Sequence, residues 1–116
     1  MIIYYAHSKK IYNTKREEEE RNKILQKFPK AELICPNRDV GEKFSLAPYL
    51  KIVRDCNIVV CSEFDGFVGK GVYWEILTAM DNNKPVFNVT KDFKKVTDII
   101  IVDKNDWTVK YGKVVC

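Results

Sequence analysis

Apolar residues in this chain fall into short unbroken runs, separated by segments in which they recur every three or four positions. Ile2-Ile3-Tyr4-Tyr5-Ala6, Ala31 to Cys35, Asn57-Ile-Val-Val-Cys61 and Pro85-Val-Phe-Asn-Val89 are the runs. Each has the length of a strand covered on both faces, where side chains need not alternate with polar ones. After the first run, Asn13 or Thr14 can cap a helix that carries Glu17 to Glu20 in its first turns, a placement that suits the positive end of the helix dipole. Glu17 with Arg21 and Glu19 with Lys23 form i,i+4 pairs, and Ile24, Leu25 and Phe28 supply the inward face before Pro29 stops the helix. Pro36 ends the second run, and Asn37 to Lys43 reads as a polar loop. Leu46, Tyr49, Leu50 and Val53 share one stripe of a second helix over 46–55. Ser62 to Gly71 is a loop holding Gly66, Gly69 and Gly71, after which Val72, Ile76 and Met80 mark a third helix ending near Asn82 and Asn83. Asp98 to Asp103 reads as a fifth strand, and Trp107 to Val115 as a further edge strand.

Strands and helices that alternate in this way predict an α/β fold: a doubly wound, flavodoxin- or Rossmann-like, mostly parallel sheet with helices on both faces, in a single domain over 1–116. Ligands of such sheets bind beyond the carboxyl ends of the strands, where the strand order reverses. Three segments reach that edge: Tyr4 to Ser8, Ser62 to Glu75, and the region after Val89.

Composition narrows the picture. With 116 residues, 46% apolar and 31% charged, the chain has the balance of one globular domain. The net charge of +4 comes from Lys and Arg scattered from Lys9 to Lys113, not from a single run, which argues against a nucleic-acid surface and leaves room for an anionic small molecule. No apolar run approaches the roughly 20 residues of a membrane span, and the first residues lack the pattern of a signal peptide. Cys35, Cys56, Cys61 and Cys116 include no Cys-x-x-Cys pair, and His7 is the only histidine. No zinc site of the usual ligand spacing is expected, nor any other cofactor. Reduced thiols fit a cytoplasmic location.

The loop Gly66-Phe-Val-Gly69-Lys70-Gly71 runs straight into the third helix. Glycines let backbone amides approach a ligand, and a helix N-terminus favours an anion, although a structural turn explains the same residues. The Gly-Lys-Ser/Thr of a nucleotide triphosphatase loop is missing. Glu75 follows Gly71 by four residues. Such a carboxylate either serves the helix terminus or, at the ligand edge, acts as a nucleophile toward an electrophilic sugar carbon.

Ile3-Tyr4-Tyr5-Ala6-His7-Ser8, Asn57-Ile-Val-Val, and Gly69-Lys-Gly-Val-Tyr-Trp-Glu75-Ile-Leu-Thr-Ala79 followed by Lys84-Pro85-Val86 together resemble the nucleoside 2-deoxyribosyltransferase-like superfamily, which includes deoxynucleoside 5′-monophosphate N-glycosidases. The resemblance covers about residues 2 to 90. It implies that Glu75 attacks the anomeric carbon of a 2-deoxyribosyl group, expels the base, and holds a glycosyl ester until water or another base takes the sugar. Tyr4 would orient Glu75, with Tyr5 in its place if the register slips by one. His7, Ser8, Gly69, Gly71 and Asn88 would meet the sugar or its 5′-group. The resemblance also implies a homo-oligomer, for which Trp107, Tyr111, Val114 and Val115 could supply contacts.

The chain departs from the family in places. His7 stands where the family often has glycine, and Tyr49 falls near the position of a transferase-type Asp. For the acid that protonates the leaving base, Asp65 is the nearest candidate, while Asp55 belongs on the surface of the second helix. The alternative function is a non-catalytic module of the same fold that binds a nucleotide or related metabolite.

Overall fold

The computed structural model describes residues 1–41, 45–101 and 107–111. Its core is a six-stranded sheet. β1 (Ile2–Ala6) pairs in parallel with β2 (Glu32–Ile34) on one side and with β3 (Ile58–Cys61) on the other, and β3 pairs in parallel with β4 (Val86–Asn88). β5 (Lys94–Ile101) and β6 (Trp107–Tyr111) extend the sheet in antiparallel fashion, for an order of β2-β1-β3-β4-β5-β6. The α/β class and the mostly parallel sheet are as the sequence pattern predicts.

The helices are α1 (Lys15–Lys27), a short α2 (Pro36–Asp39), α3 (Ala47–Asp55) and α4 (Lys70–Asp81). Thr14 caps α1 by accepting from Glu17 N at 3.2 Å. Successive residues of β1 point to opposite faces of the sheet, so the strand feeds two cores. Tyr4 and Ala6 pack with Val53 of α3 and with Val72, Ile76 and Ala79 of α4. Ile3 and Tyr5 pack with Ile24 of α1, Val60 and Val89 on the other face. Burial on both faces is why these strands read as continuous apolar runs.

Local boundaries differ from the sequence reading in three places. The supposed loop from Asn37 starts with the helical turn α2, closed by Asp39, whose carboxylate accepts from Cys35 N at 2.7 Å. Lys43 lies outside the described residues. β5 starts at Lys94, ahead of the expected Asp98, and runs antiparallel to β4. A 3₁₀ turn at Val89–Lys91, then Asp92 (φ 50°) and Phe93 (φ 60°), reverses the chain within a span too short for the helical crossover that a parallel strand needs. α4 begins at Lys70, with Gly69 as its N-cap, so Gly71 sits in its first turn.

Among the described residues no helix is long and apolar enough to cross a membrane. Of the expected oligomer contacts, Trp107 and Tyr111 fall in β6, while Val114 and Val115 lie outside the described residues.

Candidate active site

The chain leaves β1 toward β2 on one side of the sheet and returns to β3 on the other, so strand order reverses between β1 and β3. A cavity of about 580 Å³ opens beyond the carboxyl ends of these strands. Tyr4, His7 and Ser8 from β1 and the turn after it line one wall; Gly69, Lys70, Gly71, Trp74 and Glu75 from the start of α4 line the opposite wall. Tyr12, Asn37, Leu46 and Tyr49 complete it. The sheet thus brings together residues separated by most of the chain.

Glu75 lies at the floor. Its residue is 6% exposed, and Tyr4 donates a hydrogen bond from its hydroxyl to Glu75 Oε2. No acidic residue occupies the first turn of α4, and Glu75 lies past the turn where the helix dipole acts strongly, so terminus chemistry does not account for its position. Burial raises its carboxyl from the usual 4.5 to about 8, against the opposing hydrogen bond from Tyr4. Tyr4, fully buried, is pushed far above the ordinary phenol range by burial first and by the nearby Glu75 charge second. It therefore serves as a neutral hydrogen-bond donor.

The mouth is basic, with the exposed Lys9, Lys10 and Lys70 on its rim. Gly69 has no side chain to cap α4, which leaves first-turn amides facing the cavity without a local acceptor. Neither Gly69 nor Gly71 has positive φ, and a Cβ at Gly69 would meet no heavy atom within 4 Å. What these glycines contribute is open wall. The loop glycine that its backbone requires is Gly66, at φ +83° in the turn between Phe64 and Phe67.

Other predicted residues stand differently. Ser8 lines the cavity, and its Oγ caps the 3₁₀ turn Lys9–Ile11 by accepting from Lys10 N at 3.2 Å. Asp65 is not among the residues that line the cavity: it is exposed, at φ 52° beside Gly66, in the tight turn between Phe64 and Phe67. Asn88 does not line the cavity either. It is fully buried, donates to Glu63 Oε1 at 3.0 Å and accepts from Thr90 N at 3.0 Å, so it caps the turn after β4. Tyr5 points to the α1 face, where its hydroxyl donates to Glu20 Oε1 at 2.5 Å, which leaves the orienting position to Tyr4.

His7 lines the cavity and stacks on Tyr5, with ring centroids 3.7 Å apart. Its nitrogens are both engaged, Nδ1 with the Tyr5 carbonyl at 3.0 Å and Nε2 with Glu17 Oε2 at 2.7 Å. Burial lowers its pKa, opposed by the Glu17 hydrogen bond. Burial also acts to raise Glu17, but hydrogen bonds from His7 and Arg38 outweigh it and hold the carboxyl below its usual range. Glu17 and Glu20, which the sequence pattern places on a solvated helix turn, are buried instead.

No protein-family model and no curated protein matches this chain.

Sequence reasoning misses Tyr12 and Asn37 as cavity residues, since neither carries a local signal of facing a ligand. Tyr49, which reads as part of an apolar helical stripe, lies near the position of a transferase-type Asp by resemblance and does line the cavity.

Proposed function

We propose that this protein cleaves, or transfers across, the N-glycosidic bond of a (deoxy)nucleoside or nucleoside 5′-monophosphate. The observation that carries this reading is a buried carboxylate, Glu75, held by the Tyr4 hydroxyl on the floor of a cavity at the switch point of the sheet. A Glu75 oxygen attacks the anomeric carbon from the face opposite the base, and the electron pair of the breaking C–N bond leaves on the base nitrogen, which takes a proton from water. Water then attacks the glycosyl ester and returns Glu75 as a carboxylate; a second base attacking in its place completes a transfer. The basic rim and open helix terminus suit an anionic or hydroxyl-bearing 5′-group.

Base release from nucleosides and nucleoside monophosphates, followed by chromatography, tests this directly. Because the nucleophile must be ionised, kcat/KM is expected to rise about tenfold per pH unit and level off above about 8, the value to which burial lifts Glu75. Tyr4→Phe removes the bond that favours the carboxylate, so the rising limb moves to higher pH and activity at pH 7 falls by about tenfold or more. A limb that stays in place would remove Tyr4 from this role.

Asp65→Asn is expected to leave base release within about twofold, as for a surface substitution remote from the cavity. A loss of a hundredfold would return Asp65 to the mechanism.

One observation favours a second reading. Among the described residues that line the cavity, Glu75 is the sole carboxylate, so no acidic partner stands ready to protonate a leaving base. A binding module needs no such partner. Thermal stabilisation by nucleoside monophosphates without base release would identify a binder; turnover would identify an enzyme.

A further inference from the structure

Behind the cavity wall a second cluster joins the end of β1, the first turn of α1 and the end of β2. His7, Glu17 and Cys35 are all buried there, and each offers a ligand atom within 4.8 Å of the other two. We propose that this triad binds one divalent zinc ion, through His7 Nε2, Glu17 Oε2 and Cys35 Sγ, with a cavity water as fourth ligand.

The first support is the way His7 is held. Its Nδ1 faces the Tyr5 carbonyl, an acceptor that suits the tautomer with the hydrogen on Nδ1. Nε2 then points at a carboxylate oxygen 2.7 Å away. A lone pair against a carboxylate repels, so a cation, either a proton or a metal, must lie between them. A ring N–H given to a backbone carbonyl is also the arrangement that orients a metal-bound histidine.

The second support is the surroundings of the other two ligands. Arg38 Nε donates to Glu17 Oε1 at 2.9 Å, which fixes the carboxylate and leaves Oε2 to face His7. The Cys35 thiol donates to Asn37 Oδ1 at 3.2 Å, while Asn37 Nδ2, buried, has no hydrogen-bond partner among the described residues. Rotation of that amide would turn the idle N–H donors toward a thiolate, the form of Cys35 that binds metal. Burial first and the Glu17 charge second push the free Cys35 thiol up to about 11 against Arg21 and Arg38, so the thiol stays protonated until a metal displaces its proton.

Charge balances as well. Zinc with two positive charges is matched by the Glu17 carboxylate and a Cys35 thiolate, so the loaded cluster is neutral. Mixed N, O and S ligands suit zinc, and three protein ligands with one open position facing a cavity is the usual plan of an accessible zinc site. Tetrahedral zinc sets its ligand atoms about 3–4 Å apart; the 2.7 Å His7–Glu17 pair would open slightly and Cys35 Sγ would draw in, changes that rotation of the Glu17 and Cys35 side chains can provide. His7 and Asn37 line the cavity, which gives the ion a way in. The site shares His7 with the cavity wall, but no step of the glycosidic chemistry runs through it.

The test uses the full chain without an affinity tag, stripped with a chelator and titrated with zinc against a chromophoric competitor, and separately with cobalt as a spectroscopic probe. One equivalent of zinc is expected to bind, and cobalt is expected to produce a thiolate charge-transfer band with tetrahedral visible absorption. Cys35→Ser should remove the band and weaken zinc at least about a hundredfold. Cys61→Ser and Cys116→Ser should leave both intact, which separates the site from adventitious thiol binding. Glu17→Gln should weaken zinc and keep the thiolate band. Absence of a thiolate band in the unaltered chain overturns the proposal even if Cys35→Ser fails to fold. Equal zinc affinity in the unaltered chain and a folded Cys35→Ser variant overturns it too.

Discussion

Glu75→Gln is expected to lose base release by at least about a thousandfold while making the folded protein more stable. The loss follows because an amide neither ionises nor forms the glycosyl ester. The gain follows from linkage. Folding raises the Glu75 carboxyl from 4.5 to about 8, so the folded state holds this proton more tightly than the unfolded chain does. The contribution of the group to stability is therefore full below about pH 4.5 and fades as pH rises through about 8. Gln keeps the neutral shape at every pH. Its advantage grows with alkalinity, toward a Tm gain on the order of 5–10 °C at pH 8.5 and less at pH 6. Thermal denaturation at the two pH values, beside the base-release assay, reads both effects. Retained activity would end the nucleophile assignment. A Tm that falls equally at both pH values would mean that Glu75 stabilises the fold as an ion, contrary to its burial.

Glu20→Ala is expected to cost about 3 kcal/mol, lowering Tm by on the order of 10 °C. Glu20 is 6% exposed and sits between two sets of donors. Tyr5 donates to Oε1 at 2.5 Å, and Ser62 donates to Oε2 at 2.9 Å, with Arg16 Nε at 3.3 Å from the same oxygen. Truncation strands the Tyr5 hydroxyl beneath α1, leaves the Ser62 hydroxyl only a longer contact with Thr90 Oγ1 at 3.3 Å and takes the carboxylate from Arg16; unsatisfied buried donors cost more than the bonds themselves contribute. Glu20→Gln keeps one acceptor for these donors and should lose less than half as much. Chemical denaturation gives the comparison. A loss under about 0.5 kcal/mol for Glu20→Ala would show that the group is solvated, as an acidic helix turn ordinarily is.

That contrast marks how far local pattern carries. The strands around Tyr4, Val60 and Val86 and the helices containing Ile24, Val53 and Ile76 are legible because periodicity and run length reflect which faces are covered. Tyr4 and Glu75 were legible as a pair through their motifs, and they meet in the cavity. Asp65 was not legible in the same way. It precedes Glu75 by ten positions and shares its loop, yet the left-handed turn at Asp65 and Gly66 sends it outward. Asn88 likewise reaches the ligand edge of the sheet but spends its amide on Glu63 and Thr90.

By itself the sequence determined the three longer helices and the strands of the parallel sheet, and with them the α/β class, because backbone propensity, capping and hydrophobic period act over a few neighbouring residues. It also determined that a tyrosine and a glutamate would stand at the ligand edge. Tertiary structure alone decided the antiparallel course of β5, the burial of Glu17 and Glu20, and the meeting of His7, Glu17 and Cys35. Those outcomes depend on which elements stack across the sheet. Residues far apart in the chain then share one low-dielectric space, where a carboxylate that would dissolve on a free helix must find a donor, a proton or a metal.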